Sequence, residues 1–188
     1  MKVLKFGGTS VGSAQCMKDV AKLICDGQQK IVVLSAMSGT TNALIEISDY
    51  LYKKNSSGAM ELINSLEQKY MLVCDELFAS STAQTKGKAF IKASFDYMRS
   101  LSKSIFTTFE EKNIIAQGEL ISTNLFTFYL EETGVDACLL PALDYMRIDK
   151  NAEPDMAYIA DHLKDILDNQ PKHNIYITQG FICKNFYG

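Results

Sequence analysis

Short apolar runs that stop at glycine or small polar residues mark the predicted β-strands of this chain. They occupy residues 3–6, 31–34, 137–140 and 175–178. The runs at 31–34 and 175–178 are apolar or β-branched throughout, which is typical of strands covered on both faces, as in a parallel sheet. The hydrophobic pattern therefore predicts a largely parallel β-sheet.

Apolar residues recur at helical spacing in the segments between these strands. The clearest case is the set Met156, Ile159, Leu163 and Ile166, which lines one side of a predicted helix. Alternating strands and helices predict a three-layer α/β/α fold, with a helical excursion over 59–132 packed on one side of the sheet. The predicted helices cover residues 14–26, 43–53, 59–78, 85–109, 113–132 and 155–168.

Composition limits the function classes that are open to the chain. Its 188 residues, 47% of them hydrophobic, are enough for one domain with its own core. The 19 basic and 22 acidic residues give a net charge of −3 and are spread along the chain, so we expect no nucleic-acid partner. No apolar run approaches the roughly 20 residues that a membrane span needs, so we expect no membrane partner and a cytoplasmic location.

Cysteine and histidine usage offers little metal or nucleophile chemistry. The five cysteines are odd in number and form no Cys-x-x-Cys pair, which argues against a disulfide framework and against a zinc site. We expect no metal ligands among the side chains of the chain. The two histidines, His162 and His173, lie in polar segments away from any candidate nucleophile, and we expect both at the surface. The sequence thus favours a site built from loops.

The loops that follow the predicted strands are rich in Gly, Ser and Thr. Because the carboxyl ends of parallel strands lie along one edge of a sheet, these loops should converge on a single site. The first loop begins with Gly7 and Gly8, whose backbone freedom can turn N–H groups toward one point. Thr9 and Ser10 follow with two hydroxyls. With Lys5 two residues upstream, this loop predicts a phosphate site.

The motif that begins at Lys5 resembles the opening segment of aspartokinases, which are members of the amino acid kinase family. Further segments resemble that family's motifs in the family's order, and together they span essentially the whole chain. One such hexapeptide could arise by chance, whereas an ordered series is typical of a member of the family. The segments are KFGGTS at 5–10, VVLSA at 32–36, GTTN at 39–42, QGELIS at 117–122, AEPD at 152–155 and ITQGFI at 177–182.

The resemblance implies a specific fold and activity. The fold would be that of the amino acid kinases, which is carbamate-kinase-like. The activity would be ATP-dependent phosphorylation of the side-chain carboxylate of L-aspartate to 4-phospho-L-aspartate, the first step toward lysine, threonine and methionine. The reactants would be L-aspartate and ATP, with Mg²⁺ bound mainly through the ATP phosphates.

The resemblance also implies roles for individual residues. Lys5 would be catalytic and would hold the phosphoryl group that is transferred. A carboxylate nucleophile needs no general base, so the chemistry would reduce to alignment of the reactants and neutralisation of charge. The phosphoryl oxygens would lie on Gly7, Gly8, Thr9 and Ser10, and the aspartate on Ser35, Ala36, Thr41 and Glu119.

The family's kinase domain continues beyond the last motif found here, with an arginine followed by Gly-Gly-Ser-Asp and then a nucleotide-binding half. The resemblance therefore implies that 1–188 is the N-terminal, aspartate- and phosphate-binding portion of an aspartokinase catalytic domain, without the nucleotide half and the regulatory domains. We expect the isolated chain to expose apolar surface and to be inactive, and the full-length protein to be a homo-oligomer.

Glu119 falls on a predicted apolar helix stripe with Ile115, Ser122 and Phe126. Its neighbour Gly118 costs the helix about 1 kcal/mol relative to alanine, so the position is not typical of a solvated surface charge. Burial would raise the pKa of Glu119 unless a cation paired with it. Two cations fit at this stage, namely the ammonium of aspartate and a buried lysine.

Other interpretations of the same residues are open at the level of sequence. Ser35 and Thr41 could terminate the strand and cap the helix 43–53. The chain could belong to another amino acid kinase, acting on acetylglutamate, glutamate or a nucleoside monophosphate, or it could be a non-catalytic module that binds a small molecule. Arg147 and Asp149 have no assigned role.

Overall fold

Four parallel strands form the centre of the structure, a computed structural model that describes residues 1–103 and 105–187. The strands are β1 (Lys2–Phe6), β2 (Lys30–Leu34), β3 (Ala137–Leu139) and β4 (Ile175–Gln179). Their order across the sheet is β1-β2-β4-β3, so the last strand in sequence lies inside the sheet. The predicted parallel sheet is confirmed.

Helices connect the strands and form the outer layers. None of the helices within the described residues is long and apolar enough to cross a membrane. One of them, α6, is a single turn that the sequence pattern did not indicate. The helices are α1 (Ala14–Ile24), α2 (Thr40–Tyr52), α3 (Ser56–Leu77), α4 (Ser81–Leu101), α5 (Thr108–Glu132), α6 (Ala142–Tyr145) and α7 (Met156–Asn169).

The two faces of the sheet carry cores of different size. Val32, Leu34 and Ile177 belong to the large core, which packs against the helices α1 to α5. The opposite face presents Ile31 and Tyr176 to a smaller cluster that is completed by α6 and α7. Burial on both faces explains why the central strands read as continuous apolar runs. The three-layer α/β/α architecture is confirmed, as is the helical excursion on one side of the sheet.

One predicted helix is divided in the structure. The pattern predicted a helix over 85–109, but α4 ends at Leu101 and α5 begins at Thr108; residue 104 lies outside the described residues. The break is fixed by a capping box at Thr107, whose hydroxyl accepts from the Phe109 N–H at 3.2 Å while the Glu110 carboxylate accepts from the Thr107 N–H at 2.9 Å. This reciprocal pair satisfies first-turn donors, so a new helix starts here.

Lys30 ties the end of α1 to the start of β2. Its side chain is only 1% exposed, and its ammonium donates to the Ile24 carbonyl at 2.6 Å and pairs with Asp26. The bond to Lys30 lowers the pKa of Asp26. A buried lysine with these partners completes the last turn of α1 and is structural rather than part of a site.

The carboxyl ends of three strands lie level with one another. Phe6 is in register with Leu34, and Leu34 with Gln179. The loops after β1, β2 and β4 therefore leave the sheet from one line. Two large apolar residues are exposed near the free edge at β1, namely Val3 at 66% and Leu23 of α1 at 65%.

Candidate functional site

A cleft of about 530 Å³ opens at the carboxyl ends of β1 and β2. Three loops meet in it: the loop after β1 contributes Gly8, the loop after β2 contributes residues of 35–42, and the loop after β4 contributes Phe181. Lys5 reaches the cleft from β1 itself, and Glu119 from α5. The predicted convergence of the strand-end loops is confirmed.

The predicted site residues fall into two groups. Gly7, Thr9 and Ser10 are not part of the cleft lining, and their contact with phosphoryl oxygens stays a prediction. Ser10 instead lines a separate groove of about 370 Å³ beside α1, and its N–H donates to the Gly7 carbonyl at 2.9 Å. The residues that the structure brings together around the cleft are Lys5, Gly8, Ser35, Ala36, Thr41 and Glu119.

Gly8 serves the cleft by its lack of a side chain. Neither Gly7 nor Gly8 adopts a positive φ, so the left-handed freedom expected of the pair is not used. A Cβ on Gly8 would lie 2.8 Å from the Ala36 carbonyl oxygen. The Gly8 carbonyl also accepts from the Ser38 N–H at 3.1 Å. Gly8 thus lets the loops after β1 and β2 lie in direct backbone contact, close to Lys5.

Glu119 is a buried carboxylate with one oxygen unpaired. Its side chain is 3% exposed, and Oε1 accepts from the Ala36 N–H at 3.2 Å. Oε2 is buried and has no hydrogen-bond partner among the described residues. Burial raises the pKa of Glu119, as the sequence predicted for this carboxylate in the absence of a cation. Because Glu119 lines the cleft, a ligand bound there can supply the partner that this oxygen lacks.

Gly118 brings Glu119 close to the β2 loop. A Cβ at Gly118 would lie 2.8 Å from the Ala36 Cβ and 3.3 Å from the Thr40 Cγ2. The helix interior therefore carries a glycine because any larger residue would push α5 away from the loop. The cost of that glycine to the helix is offset by the contact that it permits.

Hydrogen bonds fix α5 to both neighbouring strand ends. The Ser122 hydroxyl donates to the Ser35 carbonyl at 2.8 Å. The next residue, Thr123, accepts a hydrogen bond on its hydroxyl from Gln179 Nε2 at 2.8 Å. The side-chain oxygen Oε1 of Gln179 in turn accepts from the Ala142 N–H at 2.7 Å. The position of Glu119 is thus set from β2 and β4 together.

The helix α2 begins inside the cleft. Its N-cap is Gly39, which has a φ of 79° and no side chain to cap the first turn. The alternative in which Thr41 caps a helix over 43–53 is wrong, because Thr41 already lies in the first turn of α2. Thr41 and Asn42 therefore line the cleft at the electropositive end of this helix.

Sequence reasoning did not single out several residues of the lining. Four of them follow β2, where the motif GTTN covers only residues 39–42. Phe181 belongs to the motif ITQGFI and has a φ of 68°, a conformation that non-glycine residues rarely adopt. This backbone conformation could not be predicted from the sequence pattern. These added residues are Met37, Ser38, Gly39, Asn42 and Phe181.

Arg147 takes a structural place outside the cleft lining. Its guanidinium pairs with Asp155, the N-cap of α7, and lies 3.7 Å from the centre of the Tyr158 ring. Asp149 accepts backbone N–H groups from Asn151 and Glu153 at 2.8 and 3.0 Å, which shapes the loop before α7. Both residues therefore organise the approach to this helix.

Comparison with known proteins supplies the family. The family model described as the amino acid kinase family matches residues 1–188, the whole of the chain. The chain belongs to the amino acid kinase family. The expected resemblance to aspartokinases within it is confirmed by named relatives and by solved structures.

Curated relatives of this amino acid kinase are aspartokinases. The aspartokinase of Chlamydia pneumoniae is 27% identical over 189 residues, which cover 99% of this chain and 40% of that protein. The lysine-sensitive aspartokinase 3 of Escherichia coli strain K12 is 27% identical over 96% of this chain and 40% of its own length. The chain thus spans about two fifths of the length of these two relatives.

Solved structures confirm the amino acid kinase fold. Escherichia coli aspartokinase III in complex with lysine and aspartate matches with a TM-score of 0.85 and 26% identity, over 100% of this chain and 42% of that one. The same enzyme in complex with aspartate and ADP matches with a TM-score of 0.82 and 27% identity, over the same shares of the two chains. The second of these structures thus holds a nucleotide, ADP, together with aspartate.

Replacing Glu119 with glutamine should stabilise the unliganded amino acid kinase. Because the pKa of Glu119 is raised above its ordinary value of 4.5, its ionised form opposes folding at neutral pH and the penalty vanishes below that value. Thermal unfolding of both proteins should therefore show a higher Tm for Glu119→Gln near pH 7 and equal Tm values near pH 4. A variant that is less stable at neutral pH would show that Oε2 has a cationic partner in the free protein.

Proposed function

We propose that residues 1–188 form the aspartate- and phosphate-binding portion of an aspartate kinase. The observation that carries this proposal is the unpaired, buried Oε2 of Glu119, a residue that lines the same cleft as Lys5. The cleft thus combines a site for a cation with a site for an anion. L-Aspartate offers an ammonium to the first, and the phosphoryl group of ATP fits the second.

The ammonium of aspartate is the cation that best fits Glu119. Oε1 of Glu119 already accepts from the Ala36 N–H, so the carboxylate is fixed and Oε2 can bind a ligand without movement of the side chain. Among the described residues, no lysine or arginine pairs with this carboxylate, which leaves the buried-lysine alternative without support. A charged hydrogen bond made in a desolvated place is stronger than a neutral one.

The start of α2 suits a carboxylate of the same substrate. Thr41 brings a hydroxyl, and the first-turn N–H groups of α2 receive no capping oxygen from Gly39. Helix N-termini of this kind favour anions through both their free N–H groups and the helix dipole. Ser35 and Ala36 also line the cleft. An amino acid with a carboxylate can thus be held at two ends.

The reaction would consist of one in-line displacement. An oxygen of the aspartate side-chain carboxylate attacks the γ-phosphorus of ATP, the bond from that phosphorus to the bridging oxygen breaks, and ADP leaves with the electron pair. No proton is removed, so no general base is needed. The Lys5 ammonium neutralises charge on the phosphoryl oxygens as the new bond forms.

Mg²⁺ would enter with the ATP phosphates. Glu119 is the one carboxylate on the described cleft lining, and its free oxygen is assigned to the ammonium, so the donor set fits a metal that is carried by nucleotide. When bound, Mg²⁺ supplies further neutralisation of charge on the phosphate oxygens.

The proposal is tested by Glu119→Gln in the full-length protein. Loss of a desolvated charged pair is worth about 3 kcal/mol, so the KM for L-aspartate should rise about 100-fold while the KM for ATP stays unchanged. ADP release in a coupled assay measures both. The matched control is Glu46→Gln, which alters an exposed glutamate on α2 and should leave both constants unchanged.

Substrate choice provides the contradicting outcome. Acetylglutamate has no free ammonium, so a site built around the unpaired Oε2 should reject it in favour of L-aspartate. Turnover with acetylglutamate and none with L-aspartate, or an unchanged aspartate KM in Glu119→Gln, would show that Glu119 binds something else.

A further inference from the structure

Two consecutive residues of α3 hold the loop that lines the cleft. The Lys69 ammonium donates to the Ser38 carbonyl at 3.0 Å. The Tyr70 hydroxyl lies 2.9 Å from the Thr40 hydroxyl, in a bond that either group can donate. The contacts fall on either side of Gly39, the left-handed N-cap of α2.

The contact between Tyr70 and Thr40 is made in a fully buried place. Both side chains are 0% exposed, and the Tyr70 ring packs near the Phe95 ring with centres 6.0 Å apart. Burial raises the pKa of Tyr70, so its hydroxyl keeps its proton at neutral pH. A buried hydroxyl pair is directional, unlike apolar packing, and therefore fixes the rotation of the first residue of α2.

The held loop carries the groups that the proposed function uses. Thr41 follows Thr40 directly, and Ala36, whose N–H binds Glu119, lies four residues before it. The Thr40 methyl would be 3.3 Å from a Cβ on Gly118, so the same residue also abuts α5. A shift of Thr40 would move the α2 terminus relative to Glu119.

We propose that Lys69 and Tyr70 are positioning residues that hold the 36–42 loop in the geometry that receives the carboxylate of the amino acid substrate. Neither residue is part of the cleft lining, so they act through Ser38 and Thr40. The assignment of this loop to the substrate rests on the proposed function, whereas the restraint on the loop does not.

The restraint is measured by amide hydrogen exchange in the 188-residue chain. In Tyr70→Phe, the N–H groups of Thr40 and Ala43, which donate to the Met37 and Gly39 carbonyls at 3.0 and 3.2 Å, should exchange about 5-fold faster. Lys69→Met removes an exposed contact without disturbing the core and should accelerate the same amides about 2-fold.

Tyr145→Phe is a matched control. The Tyr145 hydroxyl makes a buried bond of 2.8 Å with the Thr178 hydroxyl, so the variant removes the same chemical pair outside the cleft lining. It should lower stability much as Tyr70→Phe does, without changing exchange at Thr40 and Ala43. Equal acceleration in both tyrosine variants, or none in Tyr70→Phe and Lys69→Met, overturns the proposal.

Kinetics of the full-length protein separate positioning from plain stability. Tyr70→Phe should raise the KM for L-aspartate about 5-fold with kcat changed less than about 2-fold, and Tyr145→Phe should change neither. The double variant Thr40→Val with Tyr70→Phe leaves no unpaired hydroxyl, so its stability should recover while the aspartate KM stays raised. Recovery of both shows a structural role only and overturns the proposal.

Hydrogen exchange and kinetics together distinguish failure of this proposal from failure of the proposed function. Suppose that Tyr70→Phe accelerates exchange but the full-length protein does not use L-aspartate. The proposed function and the carboxylate role of the loop are then overturned, whereas the restraint on the loop stands. If instead Tyr70→Phe leaves exchange unaltered while Glu119→Gln raises the KM for L-aspartate, the restraint is overturned and the proposed function stands.

Discussion

Lys5→Ala in the full-length protein is expected to lower kcat about a thousandfold. A cation about 4 Å from charge that develops in the reaction is worth up to about 4 kcal/mol at an effective dielectric constant of about 20, and each 1.36 kcal/mol changes a rate about tenfold. Lys5 is exposed and one residue from the end of β1, so its removal should leave the free energy of unfolding within about 0.5 kcal/mol.

The measurement is ADP release at saturating ATP and L-aspartate, with thermal unfolding of the same samples. Lys2→Ala is the control, because Lys2 is an exposed lysine at the opposite end of the same strand. It should match the unaltered protein in both readouts. Near-normal turnover of Lys5→Ala would refute the assignment of Lys5 to the phosphoryl group, and the phosphate site would have to be sought elsewhere on the cleft.

Gly8→Ala is expected to have the largest effect on stability, with a Tm about 5 °C lower. The added Cβ would meet the Ala36 carbonyl oxygen at 2.8 Å, and because this neighbour is backbone, no side-chain rotation can relieve the contact. Forced shifts of this kind cost about 1–3 kcal/mol, and in a chain of this length 1 kcal/mol lowers Tm by about 2–4 °C.

The neighbouring glycine provides the matched comparison for that experiment. A Cβ on Gly7 would meet nothing within 4 Å, and Gly7 has no positive φ, so Gly7→Ala should leave Tm unchanged or slightly raised. Thermal unfolding of the 188-residue chain is sufficient for both variants. If Gly7→Ala were the more damaging, the pair would be used for its conformational freedom, as the sequence alone suggested.

The architecture could be predicted from the sequence because strands that are buried on both faces appear as continuous apolar runs. The runs at 31–34 and 175–178 are apolar since helices cover both sides of β2 and β4, and the strand-end loops then follow from the geometry of a parallel sheet. Glu119 could likewise be identified, because a carboxylate beside a costly glycine on an apolar stripe conflicts with a surface position. Its lack of a partner required the structure.

Features that depend on distant contacts were beyond the pattern. The role of Gly8 comes from the approach of Ala36, and the contact of Tyr70 with Thr40 joins helices that nothing in the sequence pairs. The prediction of one helix over 85–109 was wrong for another reason. Apolar spacing continues through the break between α4 and α5, and only the capping box at Thr107 marks the start of the second helix. The local hydrophobic pattern indicates which residues are buried. The contacts of Gly8 and Tyr70 depend instead on how one element is aligned against another.

The place of β4 in the sheet bears on how the chain is made. Lys30 of β2 pairs with Ile175 of β4, and Ala137 of β3 pairs with the same residue. During synthesis, β2 can pair with β1 at once, but its other edge and the edge of β3 wait until β4 has been made, and such long-range pairing is slow. Until then, the unpaired backbone groups along these two edges are open to pairing with other chains, which favours aggregation of the nascent protein.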